Sequence, residues 1–116
     1  MLNTPTSTTL NTNLKSGTAI LTLNRPERAN SFNFEMTNAL MDALSQAEND
    51  SSVRCVVITG AGKVFSAGQD ITEMKQGEAI SYREHLEKTY NPLILQIRNM
   101  GKPVIAAVNG PCAGAA

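Results

Sequence analysis

The stretch "VVITGAGKVFSAGQDI", residues 56–71, decides how this chain is read. Its approach, Val53 to Thr59, reads as a largely apolar run, typical of a strand covered on both faces. Gly60-Ala61-Gly62 follows and invites comparison with a nucleotide-binding turn. A dinucleotide fingerprint needs a third glycine where this chain has Phe65, and then a helix start, which "VFSAG" does not supply. A phosphate loop needs a hydroxyl residue after its lysine; Lys63 is followed by Val64. The glycines therefore read as the turn that leaves the strand. The second half of the stretch is more telling. Ser66, Ala67 and Gly68 are small and leave the backbone N–H of Gln69 open to a ligand oxygen.

A second stretch of this kind closes the sequence. "KPVIAAVNGPCAGAA", residues 102–116, again runs from a strand into small residues with uncrowded N–H groups. Two loops of this kind, each following a strand, can aim two N–H groups at one oxygen, which is the arrangement of an oxyanion hole.

Working outward, Thr8 to Leu14 reads as an edge strand and Lys15-Ser16-Gly17 as a turn. "TAILTLN", residues 18–24, reads as the second arm of a hairpin, with Ala19, Leu21 and Leu23 on one face. Arg25-Pro26 ends it. After the loop "RPERANS", Asn30 or Ser31 is the expected cap of a helix on which Met36, Leu40, Ala43, Leu44 and Ala47 recur at helical spacing. Asp70-Ile71-Thr72-Glu73 has the form of a capping box with Asp70 as cap. Ile80 to Met100 reads as a longer helix, kinked or broken by Pro92 near Tyr90. "VIAAV", from Val104, reads as another buried strand. The order β-β-α-β-loop-α-β implies an α/β fold with crossover helices. Residues 1–16 form a polar tail and edge strand, and 17–116 the body of the domain.

Composition narrows the function. The 116 residues carry ten acidic and ten basic side chains, formal net charge zero, with no tryptophan. Neither a nucleic-acid footprint nor a polybasic membrane patch is present. The polar first residues lack the pattern of a secretory signal, which predicts a cytoplasmic protein. Cys55 and Cys112 show no metal spacing; Cys55 reads as a buried small side chain.

Three motifs, "LNRPERANSF", "VVITGAGKVFSAGQDI" and "KPVIAAVNGPCAGAA", together resemble the enoyl-CoA hydratase/isomerase (crotonase) superfamily, in order and at suitable spacing over about residues 17–116. The resemblance implies a crotonase-like α/β spiral of β-β-α units, incomplete here at its C-terminal side. It also implies a homotrimer or hexamer at full length. The substrate would be an acyl-CoA thioester, with coenzyme A part of the substrate and no separate cofactor or metal. The catalytic donors it implies are the backbone N–H groups of Gln69 and Ala115, the latter after Gly114. Ala67 and Gly68 would border the thioester, with Asp70, Ile71 and Thr72 lining the acyl pocket. Arg28 and Ala29 would hold the CoA moiety. Ala116 departs from the glycine usual at its position. "AGQD" and "YNPL" resemble the branch acting on ring-epoxides of phenylacetyl-CoA.

The glutamates or aspartate that move protons in this superfamily lie beyond the second oxyanion loop, and no residue here matches them. Glu73, Glu78 and His85 read as solvated. The expectation is a hydratase or isomerase of which this is the N-terminal part, inactive by itself. The alternatives are a non-catalytic module with partial CoA binding or an assembly role, and, far behind, a nucleotide-binding domain.

Overall fold

The computed structural model describes residues 8–74, 87 and 89–116. The first hairpin is β1 (Leu10–Lys15) and β2 (Thr18–Leu23), antiparallel, with Lys15 opposite Thr18 and Leu10 opposite Leu23. Its two-residue turn has positive φ at both Ser16 and Gly17, the geometry that matches the twist of the flanking strands. A short 3-10 turn over Pro26–Arg28 leads to α1 (Phe34–Asn49), and α1 returns the chain to β3 (Cys55–Gly60), parallel to β2. Beyond β3 come the four-residue α2 (Ile71–Met74), then α3 (Tyr90–Asn99) and β4 (Val104–Ala106), parallel to β3. The sheet order is β1-β2-β3-β4. Strands two, three and four run the same way, as α/β crossover connections require.

The core lies between the sheet and α1. Ala19, Leu21 and Leu23 of β2 are buried, as their alternation predicts, and so are Met36, Leu40, Ala43, Leu44 and Ala47 of α1. The helix cap differs from the expected one. Asn33, not Asn30 or Ser31, accepts the Met36 N–H at 2.8 Å. Asn30 is unavailable because it sits in the left-handed region and its side chain is used within the loops. At the other end of α1, the Lys102 ammonium donates to the carbonyls of Ala47 and Asp50, at 2.7 and 2.8 Å. The two carbonyls also accept the Asp50 and Val53 N–H groups, so the cation adds a second donor to each, complements the negative end of the helix and seats the start of β4.

Two strand expectations need correction. β3 is not covered on both faces: Val56 and Ile58 are buried, but Cys55, Val57 and Thr59, which alternate with them, are half-buried. β4 is not a buried strand, since Ile105 is 51% exposed and Ala106 is exposed. It is the edge of the described sheet, and its apolar composition reflects a surface that the described residues do not cover. Cys55 is half-buried rather than buried, 3.4 Å from the Thr18 hydroxyl.

The helix expected over Ile80 to Met100 is described from Tyr90 on; most of its earlier part, with Glu78 just before it and His85 within it, lies outside the described residues. Pro92 falls in the first turn of α3, where its missing N–H costs nothing. Leu93 is buried, whereas its neighbour Ile94 is 49% exposed. No helix among the described residues is long and apolar enough to cross a membrane.

Candidate active site

Three parallel strands end at Leu23, Gly60 and Ala106, so the segments that follow them emerge at one edge of the sheet. This is where open α/β sheets place ligand sites. The segments 24–33, 61–70 and 107–116 lie side by side there and are bonded to each other.

Asn30 joins the first segment to the second. Its carboxamide nitrogen donates to the carbonyls of Ala61 (2.9 Å) and Val64 (2.8 Å), and its oxygen accepts the Arg25 N–H (2.8 Å). The Ser66 hydroxyl donates to the Asn30 carbonyl, and the Ala67 N–H to that of Ala29. Further on, Phe32 and Gln69 form a parallel bridge: the Phe32 N–H donates to Gly68 O at 2.7 Å and the Asp70 N–H to Phe32 O at 2.9 Å. Asn109 joins the second segment to the third, accepting the Gly60 N–H at 3.0 Å and donating to Gly62 O at 3.1 Å. Ser66 pairs with Cys112 through Ala113 N–H to Ser66 O, 3.1 Å. The Gly60-Ala61-Gly62 turn thus makes room for packing. A Cβ on Gly60 would fall 2.5 Å from the carbonyl oxygens of both Val64 and Phe65.

Gly68 and Ala115 are brought together. Gly68 has φ +94° and its α-carbon faces the third segment: a Cβ there would lie 2.8 Å from Ala113 O and 2.9 Å from Ala115 N. Gly114, with φ +58°, opens a turn closed by Ala116 N–H to Ala113 O at 3.1 Å. Neither the Gln69 nor the Ala115 N–H donates to a protein group among the described residues. The Gln69 side-chain oxygen is buried and also has no partner among them. Beside Ala115 and Ala116 lies an apolar cavity of about 180 Å³, walled by Phe32, Phe65, Tyr90 and Leu93 among others. Phe32 and Tyr90 meet edge to face there, with ring centroids 5.9 Å apart.

Asp70 and its neighbours stand apart from this cavity. Asp70 caps α2, its Oδ1 accepting from the Thr72 N–H (2.9 Å) and hydroxyl (2.6 Å), while its Oδ2 pairs with Arg25 at 3.0 Å. Burial raises its pKa, but the bonds from Thr72 and Arg25 outweigh burial and hold the carboxyl below its ordinary value. Ile71 is 60% exposed, and neither it nor Thr72 borders the cavity. Arg28 is exposed, and Ala29 ends the 3-10 turn in a left-handed conformation.

Residues 13–116 match the family model described as enoyl-CoA hydratase/isomerase. The chain belongs to the enoyl-CoA hydratase/isomerase family. Among curated relatives, the 1,2-epoxyphenylacetyl-CoA isomerase of Escherichia coli is 47% identical over 105 residues, covering 88% of this chain and 40% of the isomerase. A probable enoyl-CoA hydratase of Mycobacterium bovis is 45% identical over 105 residues, covering 83% of this chain and 36% of that protein. An enoyl-CoA hydratase/isomerase crystal structure from Xanthobacter autotrophicus superposes with a TM-score of 0.85 at 34% identity, over 92% of this chain and 40% of that one. The α/β architecture is thus that of the crotonase-like family. The chain spans about two fifths of the length of these relatives.

Sequence reading missed Arg25 and the bridging role of Asn30. Arg25 registers only as the residue before a strand-ending proline, because its carboxylate partner is 45 positions away. Asn30 carries a weak signal, since asparagine tolerates the left-handed conformation better than most residues.

Proposed function

We propose that this chain supplies the oxyanion-stabilising part of an acyl-CoA enzyme of the hydratase/isomerase type, with the N–H groups of Gln69 and Ala115 as donors. The observation that carries this reading is the backbone contact of Gly68 with Ala113–Ala115, which sets two loops against each other, each with an N–H group unused among the described residues. A thioester carbonyl held by both donors gains negative charge as its α-carbon loses a proton or its β-carbon is attacked. Fixed donors favour that charge over the neutral ground state, and loss of one costs about 2.7–4 kcal/mol of transition-state stabilisation. Ala67 and Gly68 would border the thioester and Gly114 would shape the second donor's turn. The CoA moiety would run past Ala29, with the exposed Arg28 free to meet a phosphate.

Asp70 is a structural carboxylate in this reading, since both of its oxygens are engaged. None of the described residues walling the cavity beside Ala115 is acidic, which favours a second proposal: the 116-residue chain alone binds CoA weakly or assembles, without turnover. The homotrimer or hexamer belongs to the same reading and is checked by sedimentation of the protein at its natural length.

The test uses crotonyl-CoA and the ring 1,2-epoxide of phenylacetyl-CoA, labelled with carbon-13 at the thioester carbonyl. Binding to the natural-length protein should lower the carbonyl stretching frequency, and one of the two, the enoyl thioester or the ring epoxide, should turn over. A bound thioester with an unshifted carbonyl refutes the donor assignment. Hydration by the purified 116-residue chain refutes its inactivity.

A further inference from the structure

Arg25 lies just past the end of β2, and its side chain is mostly buried, 12% exposed. One arm, Nη1, donates to the Ser31 carbonyl at 2.6 Å and approaches the Ser31 hydroxyl at 3.3 Å. The other arm, Nη2, reaches Asp70 Oδ2 at 3.0 Å. Ser31 immediately precedes Phe32, and Asp70 immediately follows Gln69. A single planar group therefore grips both strands of the Phe32–Gln69 bridge, each at the residue next to the bridged pair.

That bridge controls one direction in space. Gly68 C=O and Gln69 N–H belong to the same peptide plane, and in a trans peptide they point to opposite sides. The Phe32 N–H holds Gly68 O at 2.7 Å, so it also sets where the Gln69 N–H points. If the two strands slide or splay, the carbonyl is released and the N–H loses its aim. The neighbouring bond, Asp70 N–H to Phe32 O, shares the load but belongs to the same two strands. The guanidinium braces them from outside the bridge, and it does so in the fork geometry that an ammonium cannot reproduce.

We infer that Arg25 is a positioning residue for the oxyanion site: its clamp on Ser31 and Asp70 holds the Phe32–Gln69 bridge in register and thereby aims the Gln69 N–H. The inference rests on the proposed role of that N–H. It also makes Asp70 a second positioning residue, with no proton transfer, because Asp70 is the anchor that Arg25 pulls against. Arg25 further belongs to the loop that carries Arg28 and Ala29, so the CoA-side loop and the thioester-side loop share one brace.

The test compares wild type, Arg25→Lys, Arg25→Gln and Asp70→Asn in the natural-length protein. Three readouts are followed: kcat, KM, and the shift of a carbon-13 thioester carbonyl in the bound state. Misaiming a donor by about 1 Å predicts a fall in kcat of about 10²-fold. KM should stay within about 3-fold, since the ground state uses the donor less. The carbonyl shift should shrink in all three variants, and Arg25→Lys/Asp70→Asn should lose no more than either single change. Should Arg25→Gln fail to fold, Arg25→Lys and Asp70→Asn still decide the matter. A variant that melts at a lower temperature but keeps wild-type kcat and the full carbonyl shift overturns the inference and leaves Arg25 a merely structural residue. A wild-type complex with no carbonyl shift overturns the donor assignment itself, and this inference falls with it.

Discussion

Gly68 and Ala115 meet backbone to backbone: a methyl group on the first would lie 2.9 Å from the amide nitrogen of the second. No side chain can be added at Gly68 without moving one of the two segments. The positive φ of +94° opposes substitution independently. Gly68→Ala should therefore cost about 1–3 kcal/mol of stability through backbone strain alone. Under the proposed function it should also lower kcat/KM by about 10²-fold or more, because the donors are displaced. Thermal melting and steady-state kinetics on the same preparation check both parts. A variant with unchanged melting would show that the two segments are not in contact.

Asn30 and Asn33 offer a contrast between two asparagines three residues apart. Asn33 caps α1 through one hydrogen bond, so Asn33→Ala should cost about 1 kcal/mol. Asn30 is fully buried and serves three backbone groups, the Ala61 and Val64 carbonyls and the Arg25 N–H. Stranding them should make Asn30→Ala the costlier change, by about 3 kcal/mol or more in total. Urea denaturation of the two variants gives the order directly.

The ion pair of Asp70 makes a signed prediction about acid. Its carboxyl is held below the ordinary value of 3.8, so the folded state binds a proton there less readily than the unfolded chain. Its contribution is then fully present above pH 3.8 and is lost as pH falls through the lower folded-state value. Asp70→Asn should remove that slope. Urea midpoints measured from pH 6 down to pH 2.5 should converge for wild type and variant at the acid end and separate above it.

Lys102 reaches back from the start of β4 to two carbonyls at the end of α1. Lys102→Met keeps most of the aliphatic stem and removes the donor. The expected cost is about 1.5–3 kcal/mol, the range for hydrogen bonds made by a charged group. Hydrogen exchange should quicken at the end of α1 and in β4 before it does so in β2. Uniform change across the domain would argue against a local role.

Local chemistry made much of this fold legible. The alternation of Ala19, Leu21 and Leu23 and the helical spacing of Met36, Leu40 and Leu44 each have a single buried solution, and the structure adopts it. Asp70 was readable as a cap because a short carboxylate two residues before a free N–H satisfies it locally. The strand assignments of Val57 and Ile105 were right in type and wrong in burial, since an apolar run reports what a strand can bury and not what lies over it.

The sequence by itself determined the two small-residue loops, their place after strands and the family they resemble, because these depend on residue type and spacing along the chain. The tertiary structure alone decided that Gly68 packs on Ala115, that Asn30 ties the first loop to the second, and that Arg25 grips Ser31 and Asp70 together. The physical reason is range. Helix and strand patterns repeat within a few residues, whereas the partner of Arg25 lies 45 residues away and is selected only when parallel strands bring their ends to one edge of the sheet.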